Sequence, residues 1–150
     1  MKKYVVLLIA ITISAFSFAQ KTELKGAEKA LKSNNFASAK TFIKSAEAME
    51  SSMDLKTLAK FYFLKGQAYY ANGTGTNDDV KVALESFDKL NTTEEKSGKR
   101  VYSSKAAGIK QMMVNSFLEK AQTALESKDY TTSYTNFENV YRISTADTVF

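Results

Sequence analysis

From residue 22 almost to the C-terminus, apolar side chains recur every three to four positions, so the chain reads as helix nearly throughout. The period predicts helices over Thr22–Ser33, Phe36–Glu50, Leu55–Ala71, Asp79–Leu90, Ser103–Ser127 and Tyr130–Ile143. The interruptions carry turn chemistry. Ser33-Asn34-Asn35 forms a tight turn, because Asn tolerates left-handed backbone and bonds locally. Asn72-Gly73-Thr74-Gly75-Thr76-Asn77 is a longer loop, with Asp78 placed to cap the helix after it. Asn91-Thr92-Thr93-Glu94-Glu95 opens a polar connection through Gly98, and Ser127-Lys128-Asp129 is a tight turn before Tyr130.

These helices repeat in pairs, with approximate bounds 22–50, 55–90 and 103–143. The first pair carries Ala27, Ala30, Phe36, Ala39, Ile43 and Ala46; the third carries Ala121, Ala124, Tyr130, Ser133, Phe137 and Val140. Both sets are spaced 3, 6, 3, 4 and 3. In the second, Gly66, Tyr69, Val80, Ala83, Phe87 and Leu90 give 3, 11, 3, 4 and 3, the extra residues falling in the Gly/Thr/Asn loop where insertion is cheap. Each position has a physical use. Ala27, Gly66 and Ala121 let the second helix of a pair approach closely, and Ala39, Ala83 and Ser133 do so from the other side. Phe36, Val80 and Tyr130 close the end of each pair, while Phe87 and Phe137 fill the wedge toward the next. One such side chain contributes about 1.5–3 kcal/mol when fully buried.

At these residues the chain resembles the tetratricopeptide repeat (TPR) family. Lys65-Gly66-Gln67-Ala68-Tyr69-Tyr70 is similar to that family's first-helix signature, and Lys128-Asp129-Tyr130 with Ser133 and Phe137 to its turn and second helix. The resemblance covers Thr22–Asp147. It departs from the family at Glu23, where Tyr62 and Phe117 supply an aromatic in the other pairs, and at Thr145, where a proline is usual. The spacing between pairs also exceeds the family's ~34 residues, so an irregular stack is expected. The resemblance implies an all-α fold, an α-solenoid of three antiparallel helix pairs. It assigns Tyr62, Gly66 and Tyr69 to packing within a pair. Phe63, Gln67 and Tyr70 would then line a concave groove for a polypeptide, with Asn115, Leu118, Gln122 and Leu125 in the third pair and Leu24, Glu28 and Leu31 in the first. An alternative stays open: Phe63 and Tyr70 simply pack against a neighbouring pair.

Composition places this fold outside the cytoplasm. Met1-Lys2-Lys3 is a short basic start, Tyr4–Phe18 is free of charge, and Ser17-Phe18-Ala19 offers small residues where signal peptidase reads. This is the pattern of a secretory leader over residues 1–19, cleaved after Ala19, and the apolar run is shorter than the ~20 residues a spanning helix needs. No cysteine follows it, which removes a lipid anchor. The remaining domain, 20–150, belongs in a bacterial periplasm or outside the cell. Removing Lys2 and Lys3 lowers the net charge from +5 to +3, with the charges interspersed, so nucleic acid is not an expected partner.

The chemistry of catalysis is sparse. With no His and no Cys, the usual nucleophile triads and zinc sites are excluded. Asn72–Asp79 lacks the Gly-Lys-Ser/Thr of a phosphate loop, and Asn77-Asp78-Asp79 lacks the spaced ligands of a calcium loop. Glu94-Glu95 reads as solvated charge. Asn72-Gly73-Thr74 and Asn91-Thr92-Thr93 match a glycosylation pattern by chance, given a bacterial leader. No enzyme activity, cofactor or metal is expected. Instead the sequence predicts a protein-binding scaffold of unidentified partner, the alternatives being the N-terminal structural segment of a longer envelope-assembly protein or a carrier of a small apolar ligand. Residues 146–150 read as the start of a further helix, and self-association through that C-terminal end is a further expectation.

Overall fold

The computed structural model describes residues 18–146, which are all-α: six helices and no strand among the described residues. Most of the expected leader, and the further helix expected at 146–150 beyond its first residue, lie outside them. The helices are α1 (18–32), α2 (Phe36–Glu47), α3 (Leu55–Tyr70), α4 (Asn77–Ser97), α5 (Ser103–Glu126) and α6 (Tyr130–Ala146). The chain divides into two compact units, one up to Arg100 and the other from Val101.

In the first unit, α1 and α2 form one antiparallel hairpin and α3 and α4 another. The α1–α2 turn follows from Asn34, whose backbone is left-handed (φ 53°). Its amide donates to Leu31 O at 3.0 Å and that of Asn35 to Ala30 O at 2.9 Å, the paired bonds that close a helix C-terminus. The Asn35 side chain then accepts from the Ser38 amide and starts α2. Ala27, Ala39, Ile43 and Ala46 are buried, as the repeat spacing requires. A second notch was not foreseen: Gly26 lies under Phe42, where a Cβ would come within 2.7 Å of the ring.

Helix α3 is the centre of this unit. Phe61, Tyr62, Phe63, Leu64, Gly66, Ala68 and Tyr70 are all buried, so it has no solvent face along that stretch, as expected for a helix packed on several sides. Its apolar neighbours are α2 on one side and α4 on another. Charged and polar bonds set the register at its edges. Lys60 donates to Glu28 of α1 at 2.6 Å, Lys65 pairs with Glu47 of α2, and the Tyr62 hydroxyl donates to Glu50 at 2.6 Å. Lys40 of α2 meets Asp79 of α4 at 2.7 Å and lies 5.0 Å from the Tyr69 ring centroid. Partly exposed pairs of this kind are worth about 0–1 kcal/mol each; the apolar core carries the stability.

Helix α4 corrects the sequence reading at both ends. Its cap is Thr76 rather than Asp78: the Thr76 hydroxyl accepts from the Asp79 amide while Asp79 accepts from the Thr76 amide, a reciprocal capping box. The expected polar connection after Leu90 is helix through Ser97. Thr92 and Thr93 return their hydroxyls to the carbonyls of Asp88 and Lys89, which absorbs polar groups that would otherwise compete with the helix. The stop is Gly98, left-handed at φ 66°, whose amide donates to Glu94 O and Glu95 O. Glu94 is therefore not solvated; it is 1% exposed, on the same helix face as Leu90.

The second unit is the α5–α6 hairpin. Its turn repeats that of α1–α2 ninety-four residues later, atom for atom. Lys128 is left-handed (φ 59°), its amide donates to Leu125 O at 3.0 Å, and that of Asp129 donates to Ala124 O at 2.8 Å. The Asp129 side chain accepts from the Thr132 amide at 3.1 Å. Ala121, Ala124 and Ser133 are buried at the hairpin contact. Tyr130 and Phe137, expected in the core, are 64% and 41% exposed. The buried face of α6 is Ser133, Asn136, Asn139 and Ile143, one helical stripe turned away from those rings. Ser144, Thr145 and Ala146 continue α6 and do not begin a new element.

Candidate functional site

The groove expected on α3 is not presented as a surface there. Phe63 is 8% and Tyr70 6% exposed, and Gln67 is half-buried. Phe63 and Tyr70 are thus enclosed side chains. Burial pushes the Tyr70 phenol above its ordinary range. Burial, reinforced by the Glu50 carboxylate that accepts its hydroxyl proton, pushes Tyr62 further up still. Both stay neutral at any ordinary pH.

On α5 the expectation fares differently. Asn115 and Gln122 are exposed, Leu118 is half-buried, and Leu125 is exposed. With Gln111, whose amide donates to Asn115 Oδ1 at 3.3 Å, they form a single stripe at spacings of four and three. It combines amide and leucine side chains, a mixture suited to polypeptide, since amides can bond backbone while leucines supply apolar area. The hairpin contact itself uses the opposite stripe, Met113, Phe117, Ala121 and Ala124.

Beside it, α5 and α6 enclose an open cleft of about 500 Å³ lined by Ser116, Lys120, Thr123, Asp129, Thr132 and Asn136. Three of its polar side chains are tied to nearby backbone: Asn136 Nδ2 donates to Thr132 O at 2.7 Å, the Ser127 hydroxyl donates to Ala124 O, and Asp129 accepts from the Thr132 amide. Hydrogen bonds from the Thr132 hydroxyl and amide hold the Asp129 carboxyl below its ordinary value. Deeper in the hairpin, Asn139 Nδ2 is buried without a hydrogen-bond partner.

One surface escaped the sequence reading. Tyr130, Tyr134, Phe137 and Tyr141 are 64%, 70%, 41% and 69% exposed, and their spacing of 4, 3 and 4 puts them in one row along α6. That spacing is visible in the sequence, which nevertheless predicts core at Tyr130 and Phe137. Among the described residues, no group of three His, Cys, Asp or Glu side chains could hold a metal ion, and no helix is long and apolar enough to cross a membrane. Comparisons with family models, with curated proteins and with solved structures each find no match to this chain.

Proposed function

We propose that this chain is an exported, non-enzymatic helical-repeat protein of tetratricopeptide-like organisation, which holds a polypeptide in the bacterial cell envelope. The observation that carries the reading is the amide–leucine stripe Asn115, Leu118, Gln122 and Leu125, which the α5–α6 hairpin leaves unused. The repeat itself is supported by the matched turns at Asn34 and Lys128, each with the same pair of closing bonds and the same cap. Export rests on the basic start, the uncharged run and Ala19. In this reading Gln20 becomes the first residue, and its side chain donates to Ser52 Oγ at 2.8 Å, tying α1 to the turn before α3.

The test is photocrosslinking in cells from single positions on the exported chain. A photoreactive side chain at Gln122 traps a polypeptide of defined mass, and one at the exposed Lys81 of α4 does not. Equal trapping from both positions, or none from position 122, refutes the proposal.

A further inference from the structure

Helix α6 is amphipathic in an unusual sense: its buried stripe is Ser133, Asn136, Asn139 and Ile143, while its rings face solvent. Four large aromatics in one row are unlike the scattered single apolar residues of an ordinary surface. A fully exposed aromatic side chain offers roughly 200 Å², so at the observed exposures the row presents on the order of 500 Å².

The row is also palindromic. Spacings of 4, 3 and 4 read the same in both directions, so a copy of the helix laid antiparallel meets it ring for ring. Tyr130 of one chain lies by Tyr141 of the other, and Tyr134 lies by Phe137. A two-fold contact must be self-complementary in this way. Two copies would bury about 1,000 Å² of aromatic surface, against the ~1,200–2,000 Å² of a stable interface. The remainder would come from flanking positions outside the buried stripe, such as the exposed Thr131 and Ser144.

We propose that the aromatic face of α6 is a homodimer interface, formed with the same face of a second copy of this chain in antiparallel, two-fold arrangement. Tyrosine suits the role, since it presents area with few rotatable bonds and keeps its hydroxyl at the wet rim. The interface does not involve the α5 stripe, so it stands or falls independently of polypeptide capture.

Sedimentation equilibrium of the purified chain tests it. The wild type sediments as a dimer at roughly 100 µM, well above the Kd expected of such a contact. Tyr134→Ser with Tyr141→Ser sediments as a monomer with its helical circular dichroism retained, because both side chains lie mostly in solvent. A monomeric wild type, or a dimer that survives the double substitution, overturns the proposal. The orientation is read separately, since the chain has no cysteine of its own. With 1.5 Å rise per residue, end positions of an antiparallel pair stand about 16 Å from their own copies. Tyr130→Cys and Tyr141→Cys therefore each resist oxidative crosslinking alone and crosslink when mixed, whereas Tyr134→Cys crosslinks alone. Should Tyr130→Cys form its own covalent dimer readily, the antiparallel interface is wrong, whatever the fold of the other variants.

Discussion

The ring of Phe87 lies directly on the backbone of Gly66, so close that a Cβ at position 66 would stand 2.7 Å from Phe87 Cζ. Phe87 thus reaches back into its own hairpin instead of filling a wedge toward the next. The notch is what allows α3 and α4 to meet over the length of their contact, and both residues are buried. Gly66→Ala should destabilise the chain by about 2 kcal/mol, the cost of overpacking exceeding the helix propensity that alanine gains. Adding Phe87→Leu should recover part of that loss, and the two changes should prove non-additive. Urea midpoints of the four chains decide it; additive changes would show that the ring and the glycine are not coupled.

Lys128 occupies a left-handed position that glycine fills at no steric cost. Lys128→Gly is expected to raise stability by about 0.5–1 kcal/mol, the relief of backbone strain outweighing the freedom glycine adds to the unfolded chain. The same change at Asn34 should gain less, because Asn tolerates this conformation better. Thermal melts of the two variants provide the comparison.

Asn139 buries an amide nitrogen that donates to nothing. Replacing it with leucine keeps the volume and removes an unsatisfied donor, which otherwise costs about 1–3 kcal/mol. Asn139→Leu should therefore raise the melting temperature, while Asn136→Leu, which breaks the bond to Thr132 O, should gain less or lose.

Acid should unfold the first unit through its capping and paired carboxyls. The Lys60 ammonium holds Glu28 below its ordinary 4.5. The Thr57 amide does the same for Asp54, from an ordinary 3.8. At Asp79 partial burial pushes upward, but Lys40 and the Thr76 amide and hydroxyl outweigh it and leave the carboxyl below 3.8. All three are more acidic folded than unfolded, so the unfolded chain takes up protons first as pH falls. Their stabilisation is complete above the unfolded values and is lost as pH drops through the folded ones. The urea midpoint should fall below about pH 4.5, and Asp79→Asn should show a shallower acid limb than the wild type. Superimposable limbs would remove Asp79 from the account.

Much of this fold was legible along the chain because its signals are local. The turn at Ser33-Asn34-Asn35 and the helix period need only neighbouring residues to act, and both lie where the sequence places them. The failures were of another kind. Asn91-Thr92-Thr93 has poor helix propensity, yet α4 runs through it because the threonine hydroxyls fold back onto the preceding turn and the helix finds no left-handed glycine until Gly98. The groove that the resemblance implies on α3 rests on helical spacing, which tells which side chains share a face without telling what stands opposite.

What the sequence determined by itself, then, is the all-helical class, the pairing into hairpins, the tight turns at Ser33-Asn34-Asn35 and Ser127-Lys128-Asp129, and a chain without His or Cys. Tertiary structure alone decided that Phe63 and Tyr70 are enclosed, that Glu94 is buried, and that Phe137 faces out where its counterparts Ile43 and Phe87 face in. The physical reason is that periodicity and turn geometry are short-range properties of the backbone. Burial is a relation between elements distant in sequence, and identical patterns on α2, α4 and α6 meet different neighbours.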